Sequence, residues 1–352
     1  MLCAAWGGGQ TTDQVQDSLV RSCPWASSGV RDDGPVSATK VAVFGSCNMD
    51  LVAYAGVAPR LGETVLGREF HTLPGGKGAN QATAAARAGG TARMIGAVGE
   101  DEFGDQLRRS LRRNGVDTSG LRRVPGRTGT AHIVVDDEGG NSIVVVPAAN
   151  ATVDALRAGD EELIAGVDSL LLQLEIPLTG VEAAAAAARA HGVRVLLTPA
   201  PAVELPESLL SNVDIVVPNQ HEAAVLTGSH DPRRALATLL ERVPEVVITL
   251  GARGALYGNR DGEVIEASAF PVHAVDTTAA GDTFVGVLAV ATGEERGIAE
   301  ALRWAAAASA LSVQHSGAAS SMPTRQQILD FLSTHRDYGH SDQGGTPDHG
   351  EH

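Results

Sequence analysis

Between residues 40 and 338, short Val/Ile/Leu-rich runs alternate with longer Ala-rich stretches that carry the spacing of one buried helix face. Strands that are apolar at successive positions are buried on both faces, which is the mark of a parallel sheet covered by helices. The runs predict strands at 41–44, 93–98, 169–174, 193–197, 215–217 and 246–250. The Ala-rich stretches predict helices at 80–88, 103–114, 181–191, 280–291 and 298–314. Strands alternating with helices in this way specify an α/β fold with a mostly parallel central sheet and helices on both faces.

Two stretches break the alternation. Residues 52–73 and 130–146 read as extended, and the second turns at Asp136-Asp137-Glu138-Gly139-Gly140-Asn141, a hairpin signal. Too thinly apolar to form a core of their own, they predict a small β layer over one end of the sheet, either a lid or an edge decoration. Residues 1–39 and 339–352 are rich in Gly, Ser, Asp and Gln without apolar periodicity. The tail reads as disordered, and the N-terminal piece as a disordered extension or the product of a wrongly chosen start codon.

Charge narrows the range of partners. With 27 basic against 42 acidic residues the formal charge is −15, which argues against a general affinity for nucleic acid or anionic membrane. A small anion would need a local site. No run has the length of a transmembrane helix and the N-terminus lacks a secretory pattern, so a cytoplasmic protein is expected. Cys3, Cys23 and Cys47 lack metal-type spacing and read as reduced thiols.

The densest candidate chemistry lies in Asp276-Thr277-Thr278-Ala279-Ala280-Gly281-Asp282-Thr283-Phe284, just ahead of the apolar run VGVLAVA. A helix beginning there offers unpaired amides and a favourable dipole to a phosphate, and Ala279, Ala280 and Gly281 leave room for close approach. Asp282 in the first turn can accept a proton from an attacking hydroxyl, or it can simply complement the helix dipole. Gly75-Gly76-Lys77-Gly78-Ala79-Asn80-Gln81 precedes the Ala-rich helix. It reads as a tight turn with a solvated Lys77, or as a site where Gly76, Lys77 and Asn80 meet hydroxyl groups. Gly45-Ser46-Cys47-Asn48-Met49-Asp50 follows the first strand, where Asn48 and Asp50 either cap a turn or point into the crevice at the strand ends.

These strings, in this order over about residues 41–333, resemble the signatures of the PfkB, or ribokinase-like, family of carbohydrate kinases. The resemblance implies ATP-dependent phosphorylation of a small sugar, with D-ribose converted to D-ribose 5-phosphate and Asp282 as general base. It places Asn48, Asp50, Gly76, Lys77, Asn80 and Glu175 of Gln173-Leu174-Glu175 on the sugar. It assigns the anion hole to Ala279, Ala280 and Gly281, and further nucleotide contacts to Asn219, Thr249 and Gly251. Asn219 and Glu222, within Pro218-Asn219-Gln220-His221-Glu222, would help place hydrated Mg²⁺, although read alone they form a capping box. Asp276 and Thr278 with Ser312, His315, Gly317 and Ser321 of the 312–321 loop would form a K⁺ site. A homodimer through the lid is also implied.

This chain departs from the family pattern at three places. Ala148-Ala149 precede Asn150 where Gly-Ala is usual, Ala306 stands where an adenine-stacking His can occur, and Thr198-Pro199-Ala200-Pro201 replaces Asn-Pro-Ala-Pro. Related kinases of 2-deoxyribose, fructose or nucleosides, and a sugar sensor without activity, are the competing readings. A Walker-type site is excluded, because no G-x-x-x-x-G-K-[ST] string occurs.

Overall fold

The computed structural model describes residues 38–336 except Gly139, so the predicted tails fall outside the described residues apart from Ala38 and Thr39, as do Cys3, Cys23 and residues 337–338. Thr39 is buried and its carbonyl accepts from the Thr91 amide, so the ordered chain begins before the expected boundary. From β1 (Lys40–Phe44) the chain enters a small sheet through β2 (Asn48–Ala55) and β3 (Gly67–Gly75). It returns through α1 (Lys77–Arg87) to β4 (Thr91–Gly99), and α2 (Glu102–Arg113) and β5 (Leu121–Val124) complete that edge. The hairpin β6 (Gly129–Val135) and β7 (Asn141–Val146) then joins the small sheet. Alternation resumes with α3 (Asp160–Ala165), β8 (Ser169–Leu172), α4 (Leu178–Ala190), β9 (Arg194–Leu197), α5 (Glu207–Leu210) and β10 (Ile215–Val216). After α6 (Gln220–Thr227) and α7 (Pro232–Leu240) come β11 (Glu245–Thr249), β12 (Ala255–Asn259) and β13 (Val264–Ala267). The helices α8 (Ala280–Gly293), α9 (Ile298–Ser312) and α10 (Arg325–Thr334) close the described chain.

The described residues form a nine-stranded sheet ordered β13-β12-β11-β10-β9-β8-β1-β4-β5, parallel from β5 through β11 and antiparallel at β12 and β13. Because successive strand side chains point to opposite faces, two cores arise. Val41 and Val43 of β1, Leu196 of β9 and Val247 of β11 join α1, α2, α8 and α9 in one core. Their neighbours Ala42, Phe44, Leu197 and Ile248 join α4, α5 and α7 in the other. Each fully buried aliphatic side chain contributes about 1.5–3 kcal/mol, so this alternation holds the layers together.

Apolar nearly all round, α8 is buried from Asp282 to Ala291, as expected for a helix lying between two others. Gly286 lets it approach α1: a Cβ there would come within 2.7 Å of Gln81 O and of the Ala84 methyl. That close approach brings the front of α8 against Asn80 and Gln81.

All six expected strands and five expected helices are present, with ends shifted by a few residues. β8 stops at Leu172 and not at 174, because Gln173 turns inward to hydrogen-bond Gln81. The helix expected at 80–88 begins at Lys77, so the glycine-rich string enters its first turn. The bounds of the small β layer also need correction. It starts at Asn48 rather than 52, residues 56–66 connect its strands without joining them, and the sheet order is β3-β2-β6-β7. The hairpin turn forms as expected, with Asp136 Oδ1 accepting from the Glu138 and Gly140 amides at 3.0 and 2.7 Å. The strands β5, β12 and β13 and the helices α3, α5, α6, α7 and α10 are short or weakly periodic and carried no clear signal. No helix among the described residues is long and apolar enough to cross a membrane.

Candidate active site

In a parallel sheet the strand C-termini share one edge, and the candidate residues gather there. Asn48 and Asp50 follow β1, Gln173 and Glu175 follow β8, Thr198 follows β9, Asn219 and Glu222 follow β10, and Thr249 ends β11. The front of α1 brings Lys77, Asn80 and Gln81 to the same edge, and the front of α8 brings Ala279 to Asp282.

Glu175 gathers the loop after β1. Its Oε2 accepts from Ser46 Oγ at 2.6 Å, from the Lys77 amide at 3.1 Å and from Asn48 Nδ2 at 3.3 Å. Asn150, fully buried, braces the same loop: its Oδ1 accepts from the Cys47 amide at 3.0 Å, and its Nδ2 donates to Asn48 Oδ1 at 2.7 Å and to Cys47 O at 3.1 Å. Gly76, at φ 91°, passes so near this loop that a Cβ would lie 2.6 Å from the Asn48 amide. The glycine string is therefore needed for the packing of two backbones as well as for access by a ligand.

Asp282 is 7% exposed, and burying a carboxylate is costly unless it is hydrogen-bonded. Both its oxygens are satisfied from α1: Oδ2 accepts from Asn80 Nδ2 at 3.0 Å and Oδ1 from Gln81 Nε2 at 3.1 Å. Bonds to a charged group contribute about 1.5–3 kcal/mol each. Helix geometry leaves the amides at 281 and 282 without intrahelical acceptors, and the space beside Gly281 is open, as an anion hole requires. Ala279 caps the helix in the left-handed region at φ 59°.

The electrostatics tie these groups together. Burial, then the charges of Glu175 and Asp282, push the Asp50 carboxyl up to about 7, and Lys77 opposes the rise. Burial works against the Lys77 ammonium, but Asp282, Glu175, Glu222 and Asp50 together hold it above its ordinary value. Burial, with Asp282 adding, raises Glu222, while its hydrogen bond from Asn219 and the charge of Lys77 resist. Burial and Glu175 push the Cys47 thiol up to about 12, which makes it an inert thiol in the floor of the site.

Asn219 and Glu222 do form a capping box on α6, with 2.8 Å bonds in both directions, so each has one structural role already filled. Thr249 donates its amide to Pro218 O at 3.0 Å, which sets Asn219 and Glu222 beside Thr249 and Gly251. Asp276 ties two loops together: its Oδ1 accepts from the Thr278 amide and its Oδ2 from the Gly317 amide, both at 2.8 Å. Burial alone would raise its carboxyl, but the bonds from Thr278 and Gly317 hold it below the usual range. Ser312 and Ser321 spend their hydroxyl protons locally, on Ser309 O and Ala318 O, and the His315 side chain is exposed. What the loop offers a cation is an ionised carboxylate with hydroxyl and carbonyl oxygens, a donor set that fits K⁺. Glu222 offers a hard carboxylate oxygen that fits hydrated Mg²⁺.

Four residues at this edge had no assigned role on sequence grounds: Ser46, Gln81, Gln173 and Asn150. Each stands inside or beside a recognised string, but only the fold shows that Ser46, Gln81 and Asn150 bond to candidate ligand groups and that Gln173 bonds to Gln81 behind them.

Comparisons with known proteins identify the family and the fold. Residues 38–325 match the pfkB family carbohydrate kinase model. The chain is 43% identical over 296 residues to a ribokinase of Bacillus subtilis, covering 83% of this chain and 99% of that one. It is 37% identical over 304 residues to a deoxyribokinase of Salmonella typhi, covering 83% and 98%. The solved structure of Arabidopsis thaliana ribokinase complexed with ribose and ATP superposes with a TM-score of 0.79 at 35% identity, covering 84% of this chain and 99% of that one. Matching the family model over nearly its whole described length, and a ribokinase at 43% identity, the chain belongs to the pfkB family of carbohydrate kinases.

Proposed function

We propose that the protein transfers the terminal phosphoryl group of ATP to D-ribose, giving D-ribose 5-phosphate, with Asp282 as the base. The observation that carries this reading is Asp282 itself: a buried carboxylate at the front of an open helix, held from behind by α1 and facing the charges of Asp50, Glu175 and Lys77. A sensor that only bound sugar would have no need of a base at an anion hole. Ribose is favoured over deoxyribose, fructose and nucleosides because Asn48-Met49-Asp50, GGKGANQA and Gln173-Leu174-Glu175 occur together, and because ribokinases are among its closely matching relatives.

In this reading Asn48, Asp50, Lys77, Asn80 and Glu175 hold the sugar hydroxyls, with Gly76 setting the backbone beneath them. The reacting hydroxyl lies against Asp282, which takes its proton as the oxygen attacks the γ-phosphorus and the bond to the ADP oxygen breaks. The amides around Ala279, Ala280 and Gly281 meet the charge on the transferring group. Asn219, Thr249 and Gly251 bound the nucleotide. Mg²⁺, placed by Glu222 through water, would neutralise phosphate charge, and K⁺ beside Asp276 and Thr278 would order the 312–321 loop against the anion hole. The exposed apolar strands of the small sheet suit a homodimer in which this lid covers the sugar.

ADP release, coupled to an indicator reaction and measured over pentoses, hexoses and nucleosides, tests the substrate. D-ribose should show the highest kcat/KM, and a preference for 2-deoxyribose would overturn the ribose assignment. Asp282→Asn should lower kcat by roughly 10²- to 10⁴-fold with sugar affinity largely kept. A variant with near-normal kcat would remove Asp282 from the mechanism.

A further inference from the structure

Behind Asp282 lies a hydrogen-bond chain that touches no open space. Gln81 and Gln173 are both 0% exposed. Gln81 Nε2 donates to Asp282 Oδ1 at 3.1 Å and to Thr198 Oγ1 at 3.2 Å, while Gln81 Oε1 accepts from Gln173 Nε2 at 2.6 Å. An ionised carboxylate only accepts hydrogen bonds, so it dictates which end of each amide faces it. The NH₂ of Gln81 must point at Asp282, which leaves its oxygen to face the NH₂ of Gln173. Reversing either amide would set oxygen against oxygen, so the chain has a single polarity, running from Gln173 through Gln81 to Asp282.

We propose that Gln81, backed by Gln173, is a positioning residue for the phosphoryl transfer, fixing the orientation of the Asp282 carboxylate so that one lone pair stays aimed at the sugar hydroxyl. This rests on Asp282 being the base. Asn80 also donates to Asp282, but its own Oδ1 is buried without a partner and remains for a hydroxyl, so Asn80 serves the sugar as well. Gln81 has no such second duty. Its amide is enclosed by Asp282, Thr198 and Gln173, which come from α8 and from the ends of β9 and β8. A carboxylate free to turn would leave the attacking hydroxyl off its path, and a misplacement of about 1 Å can cost about 100-fold in rate.

Gln81→Leu keeps the side-chain bulk and removes the donor. It should lower kcat by about 10- to 100-fold while KM for sugar and for ATP stays within about threefold. In an Asp282→Asn background the same change should have little further effect, because the group being positioned is already lost. Gln81→Glu should move the acid limb of the kcat profile to higher pH by about one unit or more, since two adjoining carboxyl groups must share a proton. If Gln81→Leu fails to fold, Gln173→Met tests the chain one link further back, with the same split between kcat and KM and a loss of about three- to tenfold. An inactive Asp282→Asn beside a Gln81→Leu or Gln173→Met variant with kcat near wild type would overturn the positioning role alone. So would an equal fold-loss from Gln81→Leu in both backgrounds. An active Asp282→Asn would instead overturn the base on which the inference stands.

Discussion

At the scale of single residues, Asp50, the proposed sugar contact, links binding to pH. Burial and the neighbouring carboxylates push its carboxyl up to about 7, so in the sugar-free protein it is partly protonated near neutrality. A sugar hydroxyl that donates to it favours the ionised form, so binding should release a proton and weaken as pH falls. We expect kcat/KM for the sugar to drop as pH decreases through about 7, and Asp50→Asn to be weaker throughout but without that limb. The sign for stability is opposite. Between the ordinary carboxylate value of 3.8 and about 7 the folded protein binds the extra proton, so this group's contribution declines as pH rises through that window. Asp50→Asn should therefore be more stable than wild type at pH 8, by roughly 1–3 kcal/mol, and equal to it below the ordinary carboxylate range. Denaturant melts at low and high pH test this, and a wild-type kcat/KM profile flat from pH 6 to 8 would contradict it.

Elements meet the same kind of cost in their backbones. α8 begins at Ala279 in a left-handed conformation, and Ala148, just ahead of the bracing Asn150, sits at φ 45°. An alanine there pays a steric penalty that glycine does not, about 1–2 kcal/mol before the entropy of the freer unfolded chain is subtracted. One strained alanine caps the front of α8 and the other precedes the residue that braces the loop after β1, where the surrounding hydrogen bonds overdetermine the chain. Ala279→Gly should raise Tm by about 1–3 °C, whereas Ala280→Gly, one residue into the same helix, should lower it by a similar amount. Matching losses at both positions would show that the left-handed cap carries no strain.

Over the whole molecule, the small sheet is the part left unfinished in a single chain. Its edge strands β3 and β7 are largely exposed, with Phe70 at 63%, Ile143 at 52% and Val144 at 65%. Pairing across β2, β6 and β7 puts Asp50, Ala131 and Val145 in one row, with Ile143 on the same face, so this face is the one that carries Asp50 of the candidate site. Val144 and Val146 lie on the other. A sheet apolar on both faces suits a lid that covers the site on one side and meets a second copy as well. Val144→Glu should convert a dimer into monomer by sedimentation, and Ile143→Glu should raise ATP hydrolysis relative to sugar phosphorylation, because water then reaches the γ-phosphate. A wild type that sediments as a monomer at full activity would end the dimer proposal.

The layered α/β architecture is legible in the order of residues, because continuous apolar runs and Ala-rich helical faces have one economical packing. That order also marked Asp282, the glycine string and the polar end of β1, because close backbone approach and a helix-front carboxylate require particular residues at fixed spacing. It could not show where the chain turns away from a strand. Gln173 lies within a run that reads as strand, yet its amide is drawn inward by Gln81 from a distant helix. Nor could it show that Asn150 and Glu175 grip the same loop, since both bonds span more than 100 residues of chain. Those contacts depend on how closely α1, α8 and the strand ends approach one another, a distance set by a glycine such as Gly286 and by the packing of two cores. Local pattern carries no information about that distance, so the way Asp282 is held follows from the packing of the folded chain.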